Sequence, residues 1–156
     1  MTSLMASEAS SVPDIIAAQL KANQPLLDEL IKKLRQTKPK FVVMVGRGSS
    51  DHAAVFGKYL IEVELGLPVS YAAPSVTTVY NKSLCLQDGV AVVISQSGKS
   101  PDLIAQTQSI RKSGAYCIAL INDETSPIAE HVDLVIPLRA GPELAVAATK
   151  NYICTL

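Results

Sequence analysis

Apolar positions along the chain follow two rhythms. From Ser11 onward, Ile15, Ile16 and Leu20, then Leu27, Leu30, Ile31 and Leu34, recur at the three- and four-residue spacing of an amphipathic helix. Ser11 and Pro13 supply start signals, and Asp14 sits in the first turn. Pro25 interrupts the pattern, so two helices or one kinked helix are expected. Beyond Lys38-Pro39-Lys40 the rhythm changes. Short, mainly apolar runs, Phe41–Val45, Val69–Ala73, Val90–Ile94, Cys117–Ile121 and Val132–Ile136, read as strands. Between and after them lie helical stretches: from near Asp51 to Gly66, a short helix or turn over Ser75–Tyr80, from Pro101 to Gly114, Pro127–Glu130, and Glu143–Leu156.

The strands are mainly apolar runs, not alternating ones, as in a parallel sheet covered on both faces. Repeated alternation of strand and helix then predicts the α/β class: a three-layer, five-stranded parallel sheet of flavodoxin-like order, flanked by helices and preceded by N-terminal helices. The helical segment is expected over residues 1–38 and the α/β domain over 39–156. Right-handed crossovers place every strand-to-helix loop on one sheet edge. The last helix keeps its amphipathic pattern to Leu156 without a Gly, Asn or Pro stop, which suggests a truncated chain or a proteolytic half.

The 156 residues fit one domain and suffice for a substantial core. Lys and Arg (14) balance Asp and Glu (14), so neither nucleic acid nor an anionic membrane is expected as partner, both being bound through excess positive charge. Trp is absent and aromatics make up 4%, which leaves few stacking platforms. The start of the chain lacks the basic and apolar blocks of a signal peptide, and no apolar run is long enough to span a bilayer, so a cytoplasmic protein is expected. Cys85, Cys117 and Cys154 lack metal-ligand spacing; no metal and no cofactor are expected, and Cys117 reads as a buried thiol.

Open α/β sheets bind ligands at the carboxyl ends of their strands. Two loops there are rich in small hydroxyl residues: Gly46-Arg47-Gly48-Ser49-Ser50 after the first strand, and Ser95-Gln96-Ser97-Gly98-Lys99-Ser100 after the third. Glycine permits close backbone approach, helix N-termini present N–H groups, and serines add donors, a combination suited to phosphate. A dinucleotide fingerprint fails because Asp51 stands where the third Gly belongs, and a Walker loop fails because Val93 occupies the first Gly position. A single phosphate is therefore expected, not a nucleotide. Arg47 and Lys99 are the local positive charges. His52 at a helix start is more simply a locally bonded side chain than a catalyst, and His131 a surface residue. No Gly-x-Ser-x-Gly elbow is present.

Gly48-Ser49-Ser50, Ser95-Gln96-Ser97-Gly98-Lys99-Ser100 and Gly141-Pro142-Glu143-Leu144-Ala145-Val146-Ala147-Ala148-Thr149-Lys150 together resemble the sugar isomerase (SIS) domain family. The middle stretch is similar to the Ser-Gln-Ser-Gly-acidic-Thr loop of glucosamine-fructose-6-phosphate synthase, and the last to that enzyme's Glu-Ile-Gly-Val-Ala-Ser-Thr-Lys segment. The resemblance covers about Phe41 to Leu156. It implies a sugar phosphate as ligand, with Ser95, Gln96, Ser97 and Ser100 on the phosphate, Gly48, Ser49 and Ser50 along the sugar, and Val146 and Ala148 closing the site. Lys99, Ser100 and Ala148 replace an acidic residue, Thr and Ser of the synthase pattern.

The stretch Arg47 to His52 and the N-terminal helices look more like stand-alone proteins with two SIS domains, including deaminases of glucosamine 6-phosphate. The resemblance implies an aldose–ketose isomerase or deaminase that forms fructose 6-phosphate and ammonia through an enolamine, using a carboxylate base. Its general base is expected in a second SIS domain, absent here, and a homodimer through SIS helices is expected to be able to stand in for that half. The alternative is a phosphosugar-sensing or dimerisation module without catalysis.

Overall fold

The computed structural model describes residues 3–145 and 149–156. Two helices come first, α1 (Leu4–Ser10) and α2 (Val12–Thr37). Strands and helices then alternate: β1 (Phe41–Val45), α3 (Ser49–Leu65), β2 (Val69–Tyr71), α4 (Pro74–Thr78), β3 (Gly89–Ser95), α5 (Pro101–Lys112) and β4 (Tyr116–Ile121). A 3-10 turn (Pro127–His131), β5 (Leu134–Pro137) and α6 (Lys150–Thr155) follow. All strand pairs are parallel and the order is β2-β1-β3-β4-β5, the flavodoxin-like order expected from the sequence.

The period of two along each strand sorts side chains into two cores. Val43, Val45, Ala91, Val93, Cys117, Ala119 and Ile121 face Leu103 and Ile110 of α5 and Ile128 of the 3-10 turn. Val42, Met44, Val90, Ile94, Ile118, Leu134 and Ile136 face the other way. There they meet Leu26, Leu27, Leu30 and Leu34 of α2 and Ala53, Ala54 and Ile61 of α3. Two-sided burial is why these strands read as mainly apolar runs.

Three elements refine or correct the sequence expectation. The helix with Pro25 is a single element of 26 residues. A helix-interior proline removes one N–H donor, but the leucines after Pro25 are fixed to the sheet, and Asn23 Nδ2 before it donates to Pro137 O (2.7 Å). Tertiary contacts on both sides of the proline hold one helix. Helix α1 lies within the expected helical segment but starts ahead of the signal read at Ser11; Ser3 caps it by accepting the Ala6 N–H (3.2 Å). The final helix starts at Lys150, not Glu143. Gly141 at φ 68° is left-handed, and the Glu143 carboxylate is used as a cap for the first residues of α6.

Candidate functional site

In the order β2-β1-β3-β4-β5 the chain reverses its direction of winding between β1 and β3, and ligands of such sheets bind at that switch point. Both serine-rich loops leave the carboxyl ends of these two adjacent strands. The first runs into α3 and the second into α5, so two helix N-termini meet at one place, each offering N–H groups to an anion.

The second loop is shaped by its own hydroxyls. Ser95 is buried, and its Oγ accepts the Gly98 N–H (3.1 Å). Ser97 Oγ accepts the Lys99 N–H (3.3 Å), which leaves its O–H free to donate. Ser100 occupies the N-cap position of α5 without a capping bond from its side chain, so its hydroxyl is also uncommitted. Gly98 is required twice over. Its φ is +61°, and a Cβ there would lie 2.0 Å from the Ser126 Oγ packed behind the loop. That backing is buried, and no other described residue bonds the Ser126 hydroxyl.

From the first loop, Gly48 takes a left-handed φ of 61° as N-cap of α3, and Ser49 and Ser50 form its first turn. Ser49, Ser50 and Gln96 share a small cleft with Leu138 and with Asn151, Tyr152 and Thr155 of α6. Its free volume is about 10 Å³, room for about one water-sized group. Gly48, Ser49, Ser50, Ser95, Gln96, Ser97 and Ser100 therefore all lie on the two loops of one switch point. Val146 and Ala148 lie outside the described residues.

The positive charges are not free. Arg47 is ion-paired with Asp102 in the first turn of α5, and Lys99 Nζ lies 3.1 Å from Asp123 Oδ2. Asp123 is held below the usual carboxylate range by the Thr125 hydroxyl first, and by Lys99 after it. These acidic partners have no sequence signal, since they follow later strands and meet the loops only through the topology.

The remaining candidates fall away from the site or carry no chemistry. His52 is exposed on α3. His131 lies at the amino end of β5, 2.9 Å from Gln108. Cys117 is buried in the core, and desolvation pushes its thiol up to about 12, which makes it inert. A larger cavity of about 400 Å³ lies between α2 and α6, lined chiefly by Ile16, Leu20, Leu27, Ile136 and Ile153. Its buried polar side chains are already spent: Gln19 donates to Cys154 O (2.8 Å) and Asn23 to Pro137 O. The rest of the lining is mainly apolar. Among the described residues no three His, Cys, Asp or Glu side chains gather as metal ligands, and no helix is long and apolar enough to cross a membrane.

Two features escaped the sequence. Asn151 forms part of the cleft wall, and α1 reaches the loop after β5 through Glu8. The run Leu4, Met5, Ala6, Glu8, Ala9 after Ser3 was the available signal for α1, being made of strong helix formers behind a capping serine.

The fold is a doubly wound α/β domain with two hydroxyl-rich loops at its switch point. Residues 34–156 match the family described as SIS domain, and the chain belongs to that family. A glutamine–fructose-6-phosphate aminotransferase (isomerizing) of Symbiobacterium thermophilum is 39% identical over 111 residues, which is 71% of this chain and 18% of that protein. A protein of Silicibacter pomeroyi assigned as a phosphosugar isomerase superposes with a TM-score of 0.96 at 40% identity, over 99% of this chain and 47% of its own. A glucosamine-6-phosphate deaminase of Thermotoga maritima shares the fold alone, with a TM-score of 0.64 at 22% identity over 91% of this chain and 44% of its own. The chain thus spans less than half the length of each of these relatives.

Proposed function

We propose that this domain binds a sugar phosphate, with the phosphate on the Ser95–Ser100 loop and the sugar along Gly48, Ser49 and Ser50. The observation that carries this reading is the meeting of two hydroxyl-rich loops and two helix N-termini between β1 and β3, where Ser49, Ser50 and Gln96 share one cleft. Free hydroxyls on Ser97 and Ser100 and the start of α5 supply donors to a phosphate dianion. Membership of the SIS family and the names of the relatives support the ligand class.

The activity that fits is aldose–ketose isomerisation or deamination of an amino sugar phosphate, glucosamine 6-phosphate giving fructose 6-phosphate and ammonia. The domain is one of two such units in the active protein, a cytoplasmic enzyme. A second unit supplies the carboxylate that moves the proton between C1 and C2. A second copy of this domain is the other source of that unit. The outer face of α3 supports pairing: Val55, Phe56, Tyr59, Leu60 and Val63 are all exposed, and Val63 is 75% exposed. That same face favours one alternative, a phosphosugar-sensing or dimerisation module without turnover.

Calorimetric titration with fructose 6-phosphate and glucosamine 6-phosphate tests the binding reading. A turnover assay on the 156 residues separates the rest. Robust deamination by a monomer of this chain would defeat the assignment of the base to a second unit.

A further inference from the structure

Carboxylates hold the described residues on either side of positions 146–148. Glu8 of α1 is buried, and its two oxygens accept the N–H groups of Leu144 (2.7 Å) and Ala145 (3.3 Å). Glu143 accepts from Thr149 N, from Lys150 N (2.7 Å), from Asn151 N (3.4 Å) and from the Asn151 side-chain Nδ2. Lys150, itself buried, lies between the two acids. Its Nζ donates to Pro142 O (2.6 Å) and stands 3.9 Å from Glu8. The Glu8 and Lys150 side chains are each only 9% exposed, so this pair is protected from solvent screening.

The clamp ends on a residue of the site. Asn151 is 4% exposed and lines the cleft with Ser49, Ser50 and Gln96. Glu143 fixes its amide so that Nδ2 is used, and its Oδ1 has no hydrogen-bond partner among the described residues. A buried amide oxygen without a partner is costly and calls for an explanation. The cleft beside it has room for about one water or one hydroxyl, not for a sugar ring.

We propose that Asn151 Oδ1 accepts a hydrogen bond from one hydroxyl of a sugar phosphate seated across the mouth of this cleft, and that Glu8 is a positioning residue that acts through Asn151. The proposal rests on the phosphosugar reading above and deepens it. The phosphate is bound by the Ser95–Ser100 loop and does not touch the clamp, so the clamp distinguishes a phosphosugar from bare phosphate. Lys150 transmits the position of Glu8 to the first turn of α6, one residue before Asn151.

The test is calorimetric titration of the full chain with two probes, fructose 6-phosphate and inorganic phosphate, after thermal melting has shown cooperative folding. Asn151→Ala is expected to weaken fructose 6-phosphate about three- to tenfold, the loss of one hydrogen bond, and to leave phosphate within about twofold. Asn151→Ser, which stays polar but falls short of the ligand, gives the same pattern and serves where the alanine variant melts early. Glu8→Gln is expected to reproduce the pattern more weakly, and to add nothing in the Asn151→Ala background. Unchanged fructose 6-phosphate affinity in Asn151→Ala, or equal loss for both probes, overturns the contact. Additive losses in the double variant overturn the positioning role of Glu8. A wild-type chain that binds neither probe overturns the phosphosugar reading and this inference with it.

Discussion

Arg47 and Asp102 form an ion pair that ties the loop after β1 to the first turn of α5. The pair joins the two loops of the site across the switch point, and it also occupies the one arginine there. Asp102→Asn removes the competing carboxylate and frees Arg47 for an incoming anion. The pair is largely exposed on the arginine side, so its own strength is small, of order 0.2–1 kcal/mol. Inorganic phosphate is therefore expected to bind about two- to fivefold more tightly to the variant at low salt, with the gain fading at high salt. Phosphate affinity that is unchanged at low salt would show that Arg47 does not reach the anion.

Gly98→Ala meets two obstacles at once. The left-handed φ of +61° is unfavourable for alanine, by about 1 kcal/mol, and its Cβ would overlap the buried Ser126 Oγ. The loop must shift, so phosphate binding is expected to be lost, with a stability loss of about 1–3 kcal/mol in urea unfolding. Ser126→Gly removes the overlap but not the strain, so the double variant is expected to recover part of the stability. Recovery of nothing would place the cost in the backbone alone.

Much of the fold was legible because this sheet is buried on both sides. Runs such as Phe41–Val45 and Val90–Ile94 carry no polar residue, and Gly66 with Pro68 marked the end of α3. The flavodoxin-like strand order, one of the two common in this class, was expected and is the one observed. The two hydroxyl loops were legible too, since each is a short contiguous stretch rich in glycine and serine. What local pattern could not show is what distant chain segments contribute. Pro25 predicted two helices or one kinked helix, and packing of Leu26, Leu27, Leu30 and Leu34 keeps the segment one continuous helix. Glu143 looked like a first-turn helix residue, whereas it lies ahead of α6 and caps it with its side chain. Asp102, Asp123, Glu8 and Asn151 enter the site or its supports through topology, with sequence separations of up to 137 residues.

The cap makes α6 sensitive to acid. Burial works to raise the Glu143 carboxyl, but the Asn151 amide and the N–H groups of Thr149, Lys150 and Asn151 outweigh it and hold it below the usual range. A carboxyl depressed in the folded state contributes stability that is fully present above its unfolded pKa, about 4.3. That contribution is lost as pH falls through the depressed folded value. Hydrogen exchange of the Lys150 and Asn151 amides is therefore expected to show protection that holds at neutral pH and declines in acid below about pH 4.3, once corrected for intrinsic exchange. Glu143→Gln is expected to be less protected at neutral pH and to lack this decline. A variant with the wild-type profile would remove Glu143 as the cap.

The central claim is that the Ser95–Ser100 loop holds the phosphate of a sugar phosphate, and calorimetric titration of fructose 6-phosphate into wild type and Ser97→Ala tests it most directly. The wild-type chain is expected to bind, with inorganic phosphate as a competitor. Ser97→Ala is expected to lose about 1–2 kcal/mol through the missing hydroxyl donor. Equal affinity in both proteins, or no binding of fructose 6-phosphate, glucosamine 6-phosphate or phosphate by the wild type, would contradict it.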